Sequence, residues 1–198
     1  MSYLGHFSIR FFGMFSGVFS GLFFGLLSVP TALFPSESLA EIVRFRELEP
    51  GRIYRGGQPE TLTDYALLQK VGIRTIINMK TTEEAIESEA RLAEIFGMRM
   101  ISRPINPLFG LSDEGLDDIQ SLMRDRSLQP VFIHCRHGKD RTGLMAGVYR
   151  VEQQGWTPDA AYSEMRSLGF SPWLLGLHHR FWSRMDAQGF SLELAYQD

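Results

Sequence analysis

The chain has 198 residues, 44% of them apolar, and a net charge of −3. That suffices for one core of ordinary size, and the charge balance gives nucleic acid no electrostatic hold. Its one cysteine excludes an intramolecular disulfide and a cysteine-based zinc cluster.

Residues 11–36 contain no charged side chain, and the apolar run Phe11 to Val29 is long enough to cross a bilayer as a helix. Arg10 precedes the run, and Ser38-Leu39-Ala40 follows it with the small residues a signal peptidase reads. Residues 1–36 are therefore expected to be one hydrophobic helix, a signal anchor or a signal peptide. Arg44, Arg46 and Arg52 argue for a cytoplasmic domain, whereas the signal-like layout argues for an extracytoplasmic, periplasmic-side one; the expectation here is the latter. Gly13, Gly17, Gly21 and Gly25, with Ser16 and Ser20, form a small-residue stripe that suits a helix-mediated dimer.

Residues 37–50 read as a charged linker running into a first strand around Val43–Leu48, and residues 51–198 as the catalytic domain. Arg52–Arg55 predicts a strand closed by Gly56-Gly57-Gln58-Pro59. Thr61 caps a helix to Val71, with Asp64 three residues on, and Gly72 stops it. Arg74–Met79 is a buried strand by length and β-branching. Thr81-Thr82-Glu83-Glu84 predicts a capping box for a helix to Phe96, and Met98–Ser102 a third core strand. Pro104 to Leu111 is a loop, and Ser112-Asp113-Glu114 opens a helix ending near Asp125. Val131–His134 is a strand. A helical pattern starts at Leu144 and runs to Gln154, Thr157-Pro158 opens another to Leu168, and a last spans about Pro172 to Ala187. Strand and helix alternate, so the expected fold is an α/β three-layer sandwich with a mostly parallel central sheet.

Between the strand at Val131–His134 and the following helix lies Cys135-Arg136-His137-Gly138-Lys139-Asp140-Arg141-Thr142-Gly143. A strand, a tight polar loop and a helix start make an anion cradle, because loop N–H groups and the positive end of the helix face one place. The same donors push a thiol toward thiolate. A six-residue turn returns the Arg141 guanidinium over the Cys135 thiol, where it can fork onto two phosphate oxygens. A thiolate below the phosphorus can attack in line and form a cysteinyl-phosphate that water hydrolyses. Arg136, His137, Gly138, Lys139 and Gly143 complete the expected phosphate and substrate site. His134 could order the loop through backbone carbonyls, and His178-His179-Arg180 is expected on a solvated helix face, with a basic rim as the alternative. No metal or cofactor is required.

HCRHGKDRTG resembles the signature loop of the cysteine-dependent protein tyrosine and dual-specificity phosphatase superfamily. More loosely, over about residues 50–170, GRIYRGGQP, GIRTIINMK and the signature resemble its small atypical dual-specificity group, with fungal, plant and bacterial members. The resemblance implies Cys135 as nucleophile, Arg141 as phosphate clamp and Thr142 as helper of the leaving thiolate. It also implies a general-acid aspartate on a separate upstream loop, but Ser102-Arg103-Pro104-Ile105-Asn106 holds no acid. Two replacements are present. Asp140 stands within the loop in a Lys-Asp-Arg arrangement similar to myotubularin-type lipid phosphatases, and competes with a role as an ion-pair partner. Asp113 stands at a loop-to-helix junction, and competes with a role as a first-turn acid.

The basic loop suits a phosphoprotein, and more so an inositol phosphate or phosphoinositide carrying several phosphates. The alternative is a catalytically silent, membrane-anchored module that binds a phosphorylated ligand; the presence of Cys135, Arg141 and a nearby aspartate argues against it.

Overall fold

The computed structural model describes residues 42–190. The expected hydrophobic helix, the signal-peptidase site and the glycine stripe of Gly13, Gly17, Gly21 and Gly25 lie outside these residues. Among the described residues, no helix is long and apolar enough to cross a membrane.

Five strands and six helices follow in the order β1 Arg46–Glu49, β2 Ile53–Gly56, α1 Leu62–Lys70, β3 Thr75–Asn78, α2 Glu83–Ile95, β4 Arg99–Ser102, α3 Asp113–Arg124, β5 Val131–His134, α4 Arg141–Gln154, α5 Pro158–Ser167 and α6 Leu175–Ala187. The sheet order is β1-β2-β5-β3-β4. β2, β5, β3 and β4 run parallel, and β1 pairs antiparallel with β2. The expected mostly parallel sheet is thus a mixed one. The reason is the short turn after β1, where Arg52 N–H donates to Glu49 C=O at 3.1 Å; a parallel neighbour would need a crossover of a dozen or more residues.

Alternation along each buried strand builds two cores. Ile53, Ile77, Val131 and Ile133 point to one face and pack under α3 to α6, through residues such as Leu116, Leu144, Met165 and Phe181. Tyr54, Ile76 and Phe132 point to the other and pack under α1 and α2, through Tyr65, Leu68 and Ala93. The result is three layers, with α4 at the centre of the larger helical layer and buried at nearly every position from Thr142 to Val151.

Several expected boundaries move. The first strand begins at Arg46 rather than Val43, because Arg44 takes a left-handed φ of 58° that no strand accommodates. Ile42 and Leu48 are buried, so the described part of the expected linker packs into the fold. The Thr61–Asp64 capping box forms as expected. The second box does not: Thr82 is the N-cap of α2, but its side chain makes no capping hydrogen bond. α4 begins at Arg141, three residues before the apolar pattern starts at Leu144, so Arg141, Thr142 and Gly143 form its first turn.

The register positions the site. Gly56 of β2, His134 of β5 and Asn78 of β3 lie side by side at the carboxyl ends of three neighbouring parallel strands. Ligands bind outside that edge in open α/β sheets.

Candidate active site

The loop from Cys135 to Asp140 leaves β5 at this edge and feeds straight into α4. Its shape is held from behind, carbonyl by carbonyl. The Cys135 carbonyl lies 3.3 Å from His134 Nδ1. Gln58 N–H donates to the Arg136 carbonyl at 3.2 Å. Arg44 Nη1 donates to the His137 carbonyl at 3.1 Å, and Arg55 Nη2 to the Gly138 carbonyl at 2.8 Å. In a trans peptide the N–H points opposite to the C=O. Four carbonyls drawn outward therefore turn the N–H groups of Arg136, His137, Gly138 and Lys139 inward, and an anion cradle results.

Gly138 makes this packing possible. Its φ is +69°, and a Cβ there would sit 2.4 to 2.6 Å from the backbone of Gly56 and Gly57. The Arg55-Gly56-Gly57-Gln58 segment is thus the backrest of the loop.

Cys135 lies at the floor, 2% exposed. Burial alone pushes its thiol up, but the Thr142 hydroxyl and amide, the Arg141 charge and the Gly138 amide together outweigh it and hold the thiol below its ordinary value. Arg141 is half-buried, and its Nη1 donates to the carbonyls of Met79 at 3.0 Å and Ile105 at 3.5 Å. Those two bonds fix the plane of the guanidinium between the ends of β3 and β4.

The structure brings Cys135, Gly138, Arg141 and Thr142 together, with Gly143 buried in the first turn of α4. Arg136 and His137 face solvent at the rim. Lys139 is half-buried and runs alongside Gly169, where a Cβ would lie 3.5 Å from Lys139 Cδ. Asp140 is half-buried at the N-cap of α4 and accepts from Ser171 N–H at 2.9 Å, so it ties the loop to the α5–α6 connection and not to an arginine. Asp113 is held by α6 through Arg180 at 2.8 Å and Arg184 at 3.9 Å. His178-His179-Arg180 adds no basic rim. Arg180 is spent on Asp113, and His178 stacks edge-on against Tyr162 and is pushed down, chiefly by burial.

A buried polar network under the loop was not expected from sequence. Glu89 of α2 is 2% exposed and touches His134 Nε2 at 2.5 Å, Asn78 Nδ2 at 2.8 Å and Lys80 Nζ at 3.8 Å. Lys80, just after β3, has its pKa lowered by burial first, with Glu89 opposing and Arg136 and Arg141 adding to the fall. Lys80, Arg136 and Arg141 therefore form a positive cluster beside the cradle. A charged residue inside the strand-like Arg52–Arg55 and another ending Ile-Ile-Asn-Met-Lys were the available signals. Among the described residues, no group of three or more His, Cys, Asp or Glu side chains could hold a metal ion.

A family model described as DSP-PTPase phosphatase fused to NAD+ kinase matches residues 38–172. The chain is similar to the dual specificity protein phosphatase TpbA of Pseudomonas aeruginosa, at 34% identity over 125 residues, which covers 60% of this chain and 51% of that protein. It is similar to the inositol diphosphatase DSP4 of Arabidopsis thaliana, at 29% identity over 116 residues and 57% of each chain. The chain thus spans about half the length of these curated relatives. The crystal structure of P. aeruginosa TpbA shares the fold with a TM-score of 0.62 at 24% identity, over 77% of this chain and 91% of that one. The core catalytic domain of the PP-IP phosphatase SIW14 from S. cerevisiae, in complex with citrate, does so with a TM-score of 0.58 at 21% identity, over 64% and 76%.

Proposed function

The chain belongs to the family described as DSP-PTPase phosphatase fused to NAD+ kinase, and from that premise we propose that it is a cysteine-dependent phosphatase that hydrolyses phosphomonoesters through a cysteinyl-phosphate. The observation that carries the reading is the cradle: four loop carbonyls are held outward above a buried, acidified thiol. Fixed donors aimed at a developing charge account for most of the rate in such chemistry.

In this reading the Cys135 thiolate attacks phosphorus, the ester P–O bond breaks, and the leaving oxygen takes a proton from the general acid. Water then attacks the cysteinyl-phosphate, and the thiolate leaves with the Thr142 hydroxyl to stabilise it. Arg141 holds phosphate oxygens with the N–H groups other than its anchored Nη1. We assign the proton to Asp140, whose one oxygen is fixed by Ser171 N–H next to Arg141 in sequence. Asp113 is the alternative, and its ion pairs with Arg180 and Arg184 argue against it.

The relatives include a dual specificity protein phosphatase and inositol diphosphatases. The positive cluster of Lys80, Arg136 and Arg141 supports a substrate with further negative charge beside the scissile phosphate, and so an inositol phosphate over a bare phosphotyrosine side chain. The uncharged run of residues 11–36 supports attachment to a membrane or export across it; recovery of the chain in the soluble fraction of its own cells at full length would remove that part of the reading.

The test is hydrolysis of p-nitrophenyl phosphate in chelator, followed by a panel of phosphotyrosine peptide, phosphoinositides and soluble inositol polyphosphates. Turnover without metal is expected, with more than about 1,000-fold loss in Cys135→Ser. Undiminished turnover in that variant sinks the covalent route. Asp140→Asn should lose the basic limb of the pH–rate profile, and retention of that limb moves the acid to Asp113.

A further inference from the structure

Arg55 is the third residue of β2 and is 1% exposed. It pairs in register with Ile133 of β5, two residues before Cys135. Only one of its nitrogens is used: Nη2 donates to the Gly138 carbonyl, while Nε and Nη1 are buried without a hydrogen-bond partner. Nor does any carboxylate among the described residues lie within ion-pair distance of it. Burial draws its pKa down to about 10, with Arg150 of α4 and Arg46 of β1 adding to the fall. That is still well above neutrality, so the guanidinium stays charged.

A buried charge without a partner is costly. Glu164 of α5 gives the largest opposing effect, but its two oxygens are already forked by Arg150, at 2.8 and 3.0 Å. The next negative group to stabilise Arg55 is Cys135 itself. A buried guanidinium with two idle nitrogens and no acid of its own, on the strand that pairs with the one leading into Cys135 and bonded to the carbonyl of Gly138 in the loop, is a charge waiting for a thiolate.

We propose that Arg55 is the resident counter-charge of the Cys135 thiolate, a positioning residue held behind the phosphate loop. Its work differs from that of Arg141. Arg141 is half-buried at the mouth, and its fork is shared with the incoming phosphate. Arg55 lies behind the loop against β2, so substrate does not compete for it. It therefore acts in the empty enzyme, where the nucleophile must be ionised, and again when the thiolate leaves the phosphocysteine. The same side chain holds the Gly138 carbonyl outward, which couples the charge to the shape of the cradle. The inference rests on the reading of Cys135 as nucleophile.

Cys135 is the one cysteine of the chain, so alkylation by iodoacetamide reports on it alone. The experiment follows the alkylation rate of the full chain against pH in the wild type, Arg55→Lys and Arg55→Gln. Arg55→Gln keeps a donor for the Gly138 carbonyl and removes the charge. Its midpoint is expected to rise by about one pH unit, so that roughly tenfold less thiolate is present below the midpoint. Arg55→Lys should stay near the wild-type midpoint. The charges that act on the pair in every variant are Arg141 of α4 on the thiol, and Glu164 of α5, Arg150 of α4 and Arg46 of β1 on the guanidinium. An unmoved midpoint in a folded Arg55→Gln chain overturns the proposal. Loss of fold in both variants, read by circular dichroism, also overturns it, because lysine keeps both the charge and a donor for the Gly138 carbonyl. Failure of the nucleophile reading looks different: Cys135→Ser keeps its turnover whatever Arg55 does.

Discussion

Gly138 is where the chemistry and the stability of the loop meet. Its positive φ alone would strain any L side chain, and the backbone of Gly56 and Gly57 then leaves no room for one. Gly72 supplies the comparison, since it has a φ of +85° and nothing within 4 Å of an added Cβ. Gly72→Ala is expected to lose about 1 kcal/mol by strain alone and keep full turnover. Gly138→Ala is expected to lose more than about 2 kcal/mol, and turnover with it, because neither backbone segment can yield without tilting the loop carbonyls. Thermal melts and p-nitrophenyl phosphate hydrolysis on the two variants separate strain from clash. Equal losses would mean that the Gly56–Gly57 backrest gives way and does not shape the cradle. Arg44 shows the same economy at a non-glycine position: its left-handed φ of 58° aims the guanidinium at the carbonyls of both His137 and Leu168.

At the scale of elements, α2 matters to the site through one buried carboxylate. Glu89 reaches across to β5 at His134 and to the end of β3 at Asn78 and Lys80. The Asn78 side chain accepts in turn from Lys80 N–H at 2.7 Å, which sets the direction in which the chain leaves β3. Glu89→Ala leaves three buried polar partners unpaired and is expected to cost about 3 kcal/mol in denaturant unfolding. Glu89→Gln keeps hydrogen-bonding capacity and should cost less. A loss below about 1 kcal/mol in the alanine variant would show that the network is solvated in solution. Contacts of this kind are also what a sequence does not disclose. Val131–His134, the Thr61 cap and the start of α3 were legible, because alternation and capping are local. The start of α4 is not legible in the apolar pattern, because its first turn, Arg141-Thr142-Gly143, is polar on the side that faces the site. The direction of β1 follows from the short turn after it, and the Thr82 side chain makes no cap bond although the pattern asks for one. Arg44, Arg55 and Glu89 escape a local reading because they lie 93, 83 and 45 residues from the His137, Gly138 and His134 groups they hold.

At the scale of the molecule, the fold brings distant segments to one anion. β2, β5 and β3 end in register, the two helical layers clamp the sheet on its faces, and cations come to the edge from separate places: Arg44 before β1, Arg55 on β2, Lys80 after β3, Arg136 and Lys139 in the loop, Arg141 on α4. In the empty protein these charges repel one another, as the lowered pKa of Lys80 between Arg136 and Arg141 reflects, after burial. An oxyanion in the cradle relieves that repulsion only in the folded state, so binding must appear as stability. At an oxyanion concentration about 100 times its dissociation constant, the gain is about 2.7 kcal/mol. For a chain of this length that is a rise in melting temperature of roughly 5 to 10 °C. Tungstate or inorganic phosphate should produce it in the wild type and in Asp140→Asn, because a proton donor is not needed to bind. Arg141→Ala should lose most of it, since the fork is gone while the loop amides remain. A rise that survives Arg141→Ala in full would place the anion elsewhere on the basic edge, and the cradle would then be a feature of folding and not of binding.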